Sequence, residues 1–251
     1  MHAFFVLLTR EIQSYFRVPI GYVVMFFFLL ITGFNFWFGV TLQNGQMSEV
    51  RVAEAFFNTA IFWIGYILVF PLITMRLFSE EFKMGTIEPL MTAPVTDAAV
   101  VAAKFCGAMV FYLLLWMPSF LYFLTFQWVA NEPAALSGGA YFGSYLLLVL
   151  MGMFFVALGC LASVLTSNQI IAAIISFCTI TLFFFTGLLG FLFSGSHESI
   201  REVTNYFSAL VHMLEFSRGQ IDTRPVVFYL SMSALILFVT FQIFQARRWK
   251  A

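Results

Sequence analysis

The chain has 251 residues, 62% of them apolar and only 10% charged, and its 12 basic and 12 acidic side chains cancel. About a quarter of a soluble domain's residues are charged, so this chain cannot cover a water-facing surface, and its charge balance points to no nucleic-acid partner. Thirty-five phenylalanines and a mean hydropathy of +0.96 place it in lipid. There the backbone must satisfy its own hydrogen bonds, and the apolar runs are far longer than the roughly 10-residue strands of a barrel. The fold class is therefore an all-α integral membrane protein.

Residues 1–17 are amphipathic. Phe4, Leu8, Ile12 and Phe16 repeat at i, i+4, while Arg10, Glu11, Gln13, Ser14 and Arg17 occupy other faces. This pattern predicts a helix lying in the membrane interface, or an ordinary juxtamembrane helix, with Pro19 marking the turn into the first span. Arg10, Glu11 and Arg17 interrupt the first apolar stretch and no small-residue cleavage site follows, so no cleavable signal peptide is expected.

Uncharged intervals longer than the ~20 residues that cross a ~30 Å hydrocarbon core then define spans at 18–42, 55–75, 105–130 and 225–246. The interval from Pro133 to His197 is too long for one helix and is divided by Thr166-Ser167-Asn168-Gln169, giving 141–165 and 170–193. Six spans put both termini on one side. That side holds Arg10, Arg17, Arg76, Lys83, Lys104, Arg247, Arg248 and Lys250, against Arg51, Arg201, Arg218 and Arg224 opposite. The excess predicts cytoplasmic termini in an inner or plasma membrane.

The spans themselves offer little chemistry. No acidic, basic or histidine side chain lies away from their ends, which argues against ion-coupled transport and intramembrane proteolysis. There is no phosphate-binding loop and no G-x-S-x-G. His197-Glu198 lacks a second histidine, and His212 lacks an acidic pair at ligand spacing and is expected at the surface of an outer loop. Leu136-Ser137-Gly138-Gly139 has Ala140 where the signature loop of ABC ATPases has glutamine. Catalytic, cofactor-binding and metal-binding residues are all expected to be absent. Cys106, Cys160 and Cys178 read as small buried hydrophobes. Gly152, Ala157, Gly159, Ala162, Ser163, Ala172 and Ala173 cluster in the fourth and fifth spans, and the Gly159–Ser163 pair suits close helix approach within the chain. Pro71 and Pro118 are candidate kinks.

Two polar insertions remain, 76–104 and 194–224. In the first, a helix continuing through Arg76, Glu80 and Glu81 breaks at Gly85. Thr86 caps a short second helix with Pro89 in its first turn, Pro94 ends it, and Thr96 or Asp97 caps the next. The product is a helix across the cytoplasmic mouth presenting Ile87, Leu90 and Met91, suited to a groove on a soluble partner, or else a solvated hairpin. The second insertion, with Glu198, Arg201, Glu202, His212, Arg218 and Asp222, is expected to form a short re-entrant helix closing the outer vestibule; the alternative is a docking surface.

The pattern Arg76-x-x-x-Glu80-Glu81, Gly85-Thr86-x-Glu88-x-Leu90, then Ala93-Pro94-Val95 resembles the loop between the second and third spans of ABC-2 type exporter permeases. The resemblance implies an ABC-2, type V exporter-like fold and a coupling helix that conveys closure of a separate ATPase dimer to the spans. It implies that Glu80, Glu81 and Glu88 meet basic or polar groups of the ATPase while Ile87, Leu90 and Met91 enter its groove. ATP and its magnesium ion would sit on two copies of that cytoplasmic ATPase, and a second permease subunit, identical or paralogous, would complete the exporter. The segments HMLEFSRGQIDTRPVVFYLS (His212–Ser231) and ARRW (Ala246–Trp249) are similar to the gliding-motility-type branch. That likeness implies an alternative: an ATP-driven mechanical or assembly module acting on an extracytoplasmic protein, with an auxiliary membrane subunit bearing an extracytoplasmic domain. Membrane lipid is the remaining expected partner.

Overall fold

The computed structural model describes residues 2–44, 52–86, 95–130, 138–192 and 204–248, which are mostly helical with no strand among them. In chain order the helices are α1 (His2–Arg17), α2 (Pro19–Asn44), α3 (Val52–Phe57), α4 (Ala60–Thr74), α5 (Ser79–Met84), α6 (Asp97–Ala130), α7 (Gly138–Leu165), α8 (Gln169–Leu192), α9 (Ala209–Ser217) and α10 (Thr223–Arg248). Six stretches are long and apolar enough to cross a membrane: α2, α4 continued through α5, α6, α7, α8 and α10.

Helix α7 is the axis of the bundle. Its most apolar window is 83% buried, against 28%, 22% and 28% for α2, α8 and α10, which form the periphery. Around it pack α10, α8, α9, α4 and α6. Lipid offers no hydrophobic drive for helix association, so close packing and satisfied polar groups must hold such a bundle together. Buried aromatic rings from α4, α6 and α7 interlock, with Tyr66, Phe70, Tyr112, Trp116 and Phe155 in mutual edge or tilted contact. Their hydroxyls are not stranded: Tyr112 and Tyr66 both donate to the Leu148 carbonyl, at 2.9 and 3.3 Å.

The second span begins differently from the expectation of one helix from residue 55. Helix α3 stops at Phe57, and Thr59 caps α4 by accepting from the Phe62 amide at 3.2 Å. Asn35 of α2 makes the interruption tolerable at depth, donating to the Phe56 carbonyl at 2.9 Å and accepting from the Thr59 hydroxyl. A break in apolar surroundings persists only where its freed backbone groups are paired.

All three cysteines are free. Cys160 is buried and Cys106 half-buried, whereas Cys178 lies on the exposed face of α8 and does not pack as a core residue. Pro71 and Pro118 lie inside α4 and α6. At the far end from α5, α9 buries Ala209, Met213 and Phe216 against α7, α3 and α8, so the described part of the 194–224 insertion is an element of the bundle rather than a free loop.

Candidate functional site

The richest polar arrangement surrounds α5, at the bundle end shared by α1 and the last turn of α10. Helix α4 ends at Thr74, residues 75–78 form a turn, and α5 restarts at Ser79. Phe78 occupies the N-cap position and has no side chain able to cap. The hydroxyl of Ser163 on α7 replaces it, accepting from the Phe78 and Ser79 amides at 3.0 and 3.1 Å and lying 3.3 Å from the Met75 carbonyl, to which it donates. One turn away, Gly159 permits the approach: a Cβ there would lie 2.1 Å from Thr74 Oγ1 and 2.5 Å from Thr74 Cβ. The small pair read from the sequence thus brings α7 against the α4–α5 joint. At its other end α5 stops at Gly85, whose φ of 69° is left-handed and whose Cβ position meets nothing among the described residues.

Adjacent acidic residues on α5 take opposite environments. Glu80 accepts a two-pronged bond from Arg76, both contacts at 2.7 Å, in a partly exposed i,i+4 pair. Glu81 turns inward. Its Oε1 lies 2.9 Å from Lys104 Nζ of α6, and the same ammonium lies 2.8 Å from Glu11 Oε1 of α1. Lys104 is only 2% exposed, so one buried cation is shared by two carboxylates. Glu81 Oε2 is buried with no hydrogen-bond partner among the described residues. Gly107, one turn beyond Lys104, clears room for α1, since a Cβ there would sit 2.8 Å from Glu11 Cβ.

Further contacts fasten the same region. Tyr15 of α1 donates to the Ile73 carbonyl at 3.0 Å, and its ring stacks on Phe111 of α6 with centroids 4.4 Å apart. Burial, helped by the charge of Glu11, pushes the Tyr15 hydroxyl well above its usual range, so it remains a donor. Lys104 Nζ lies 5.4 Å from the Phe78 ring centre. Arg247 of α10 places its guanidinium 4.7 Å from the Phe82 ring centre and donates to the Leu165 carbonyl of α7. Helix α5 is thereby tied to α6, α7 and α10 and, through Lys104, to α1.

Several expectations need correction. Glu81, expected to face an ATPase, turns into the chain and is largely withdrawn from solvent, whereas Glu80 pairs with Arg76 and stays partly exposed. Lys104 lies in a helix, not in a loop ahead of the third span: α6 begins at Asp97, capped by Thr96 Oγ1 accepting from the Ala99 amide at 3.3 Å. The spans are therefore not free of ionisable groups: Lys104 is buried inside one and Glu81 lies in another. Glu11 does not lie on an outer face of α1. It sits in the half-buried stripe with Phe4, Leu7, Leu8, Ile12, Tyr15 and Phe16, a stripe turned towards α6, leaving Phe5 and Val6 as the exposed large apolar side chains of that helix. Of the remaining residues in the insertion, Arg76, Gly85 and Thr86 are described, whereas Ile87, Glu88, Leu90, Met91 and Pro94 lie outside the described residues. Glu11, Tyr15, Lys104, Ser163 and Arg247 were missed as members of this site. The signal for Glu11 was a charge at the centre of an i, i+3, i+4 apolar stripe, which repays scrutiny because it needs a partner.

At the opposite end, Glu198, Arg201 and Glu202 lie outside the described residues. His212, expected at the surface, is 5% exposed, with Nδ1 3.1 Å from Tyr229 Oη. Burial lowers its pKa to about 4, so the imidazole is neutral near pH 7. The expectation failed because α9 is amphipathic and His212 shares its inward face with Met213 and Phe216. Arg218 joins α9 to α3 through Glu54, at 2.9 and 2.8 Å, and Asp222 Oδ1 accepts from the Arg224 amide at 3.0 Å, capping α10. No cluster of three metal-ligating side chains occurs among the described residues.

Six apolar helices, with α1 and the last turn of α10 at one pole and the buried charges gathered there, define a polytopic helical membrane protein whose polar machinery is concentrated at one end. A family model described as "ABC-2 family transporter protein" matches residues 14–187, more than half of the sequence, and the chain belongs to that family. It is accordingly a transmembrane permease subunit, of a family that works with an ABC ATPase. The match runs from the end of α1 into α8 and includes all of α5. No curated protein matches the chain.

Proposed function

We propose that this chain is the permease half of an ABC exporter, in which residues 76–104 couple ATP hydrolysis on a separate cytoplasmic ATPase to movement of the spans. The carrying observation is that α5, which leads directly into that loop, is fastened by side-chain bonds and ring contacts to α6, α7 and α10 and, through the shared Lys104, to α1. Breaking one partner out of a buried ion pair costs several kcal/mol, so a push on the segment beyond Gly85 moves α5 together with α1 and α6 rather than tearing them apart. Gly85, left-handed and with nothing among the described residues near its Cβ position, is the natural joint between the docking segment and this rigid unit.

In this reading Ile87, Glu88, Leu90, Met91 and Pro94 form the part that the ATPase grips, and Glu80 and Arg76 stand beside it. The α5 end is cytoplasmic, as its basic residues Arg10, Arg17, Arg76, Lys83, Lys104 and Arg247 favour, in an inner or plasma membrane. Two permease chains and two ATPases make the working unit, with transport directed outward. The resemblance of His212–Ser231 and Ala246–Trp249 to the gliding-motility-type branch supports a second reading, a mechanical module acting on an extracytoplasmic protein. Solute export is favoured because His212 is buried and Arg218 is paired with Glu54, leaving fewer groups of α9 for docking.

The test is co-purification of the full-length chain with its co-expressed ATPase. Leu90→Asp is expected to release the ATPase while leaving membrane insertion unchanged. Full retention of the ATPase by Leu90→Asp and by Met91→Asp would overturn the assignment of the docking segment.

A further inference from the structure

A cavity of about 260 Å³ lies between α1, the start of α2 and the α4–α5 joint. It has roughly nine times the ~30 Å³ share of a liquid water, enough for a polar headgroup and the first methylenes of a chain but not for a whole lipid. Its polar half is formed by Arg10, Arg76 and Lys104 with Glu11, Glu80 and Glu81, so three positive and three negative groups line one chamber. Two of these have unused capacity. Arg10 has no hydrogen-bond or ion-pair partner among the described residues, and Glu81 Oε2 has none either. The apolar half includes Ile20, Val24 and Leu72. Leu72 continues an exposed row on α4 with Ile64 and Leu68, spaced one turn apart, and Ile20 is exposed on α2 beside it. The cavity therefore joins a balanced set of charges to a surface facing acyl chains.

We propose that this cavity is a binding site for a zwitterionic phospholipid whose headgroup carries a primary ammonium. Its phosphate pairs with Arg10 and the free edge of Arg76, its ammonium donates to Glu80 and Glu81, and its glycerol and first methylenes lie along Leu72 and Ile20. Charge complementarity selects this occupant. An anionic headgroup would add a net negative charge to a lining that is already balanced and offer Glu81 no cationic donor, and a quaternary ammonium cannot donate the hydrogen bonds that carboxylates accept. A lipid held there would brace α1 against α5. The site is independent of the ATPase, because lipid retention is read on the permease chain alone.

The experiment is native mass spectrometry of the full-length chain in detergent, titrated separately with dioleoyl phosphatidylethanolamine, phosphatidylcholine and phosphatidylglycerol, and with water-soluble glycerophosphoethanolamine as competitor. Phosphatidylethanolamine is expected to be retained about tenfold more tightly than the other two lipids, as losing charge-assisted hydrogen bonds implies, and the competitor at equal concentration should not displace it. Arg10→Gln should lower retention by about tenfold with an unchanged unfolding midpoint, since Arg10 is exposed. Leu72→Trp, which fills the apolar half, should lower it too and serves as the deciding variant if Arg10→Gln proves unstable. Equal retention of all three lipids, preference for phosphatidylglycerol, displacement by the competitor, or wild-type retention by both variants would each overturn the proposal.

Discussion

Replacing Lys104 with methionine isolates the energetics of the charged hub. Methionine keeps the length and apolar stem of lysine, so the perturbation is loss of the ammonium rather than a cavity. Glu11 and Glu81, whose side chains are 14% and 15% exposed, are then left facing each other without a cation. Removing one partner of a buried ion pair costs about 3–5 kcal/mol because the other charge stays buried and uncompensated. At about 2–4 °C per kcal/mol for a chain of this size, Lys104→Met should unfold roughly 6–20 °C below wild type. The triple variant Glu11→Gln, Lys104→Met, Glu81→Gln removes every charge together and should recover most of that loss, since uncharged side chains of similar size replace the ions and no buried charge is left uncompensated. The assay is the temperature at which detergent-solubilised full-length protein ceases to run as a monodisperse peak. A Lys104→Met midpoint within about 2 °C of wild type, or a triple variant as unstable as the single one, would refute the shared-cation account.

Other consequences are separately measurable. Gly159→Ala forces a methyl into Thr74 and should cost about 1–3 kcal/mol, whereas Gly138→Ala, on the same helix with nothing within 4 Å among the described residues, should stay within about 0.5 kcal/mol of wild type; thermal midpoints compare the two directly. Gly85→Ala meets no neighbour among the described residues and should cost only the strain of a left-handed residue, about 1–2 kcal/mol, with Gly85→Asn less affected. His212 supplies a pH dependence. Its folded pKa of about 4 lies below the unfolded 6.5, so the unfolded chain takes up the proton first as pH falls. No effect is expected above pH 6.5, while stability falls by about 2 kcal/mol at pH 5 and levels off below pH 4. In His212→Asn, unfolding curves between pH 7 and 4.5 should lose that component.

The long apolar spans and their division at Thr166–Gln169 were legible because hydrophobic length is a one-dimensional property. The charged hub was not, because its members come from residues 11, 81 and 104 and meet only when α1 folds back along α6. A charge count treats Lys104 as the end of a span, yet pairing with two carboxylates lets it enter the helix that it seemed to terminate. His212 failed for the converse reason: polarity alone cannot tell a surface imidazole from a buried one bonded to Tyr229, 17 residues further on. The local backbone was better read. The stop at Gly85, the cap at Thr96 and the close approach at Gly159 and Ser163 each depend on neighbours within a few residues or on side-chain size alone.

The most direct test of the central claim is to reconstitute the full-length charge-neutral triple variant with its ATPase in liposomes and measure ATP hydrolysis beside ATPase retention. If α5 transmits the motion through Glu81, Lys104 and Glu11, the variant will keep the ATPase but lose the change in hydrolysis rate that the wild-type permease imposes on it. A variant that folds, keeps the ATPase and modulates its hydrolysis as wild type does would contradict the account.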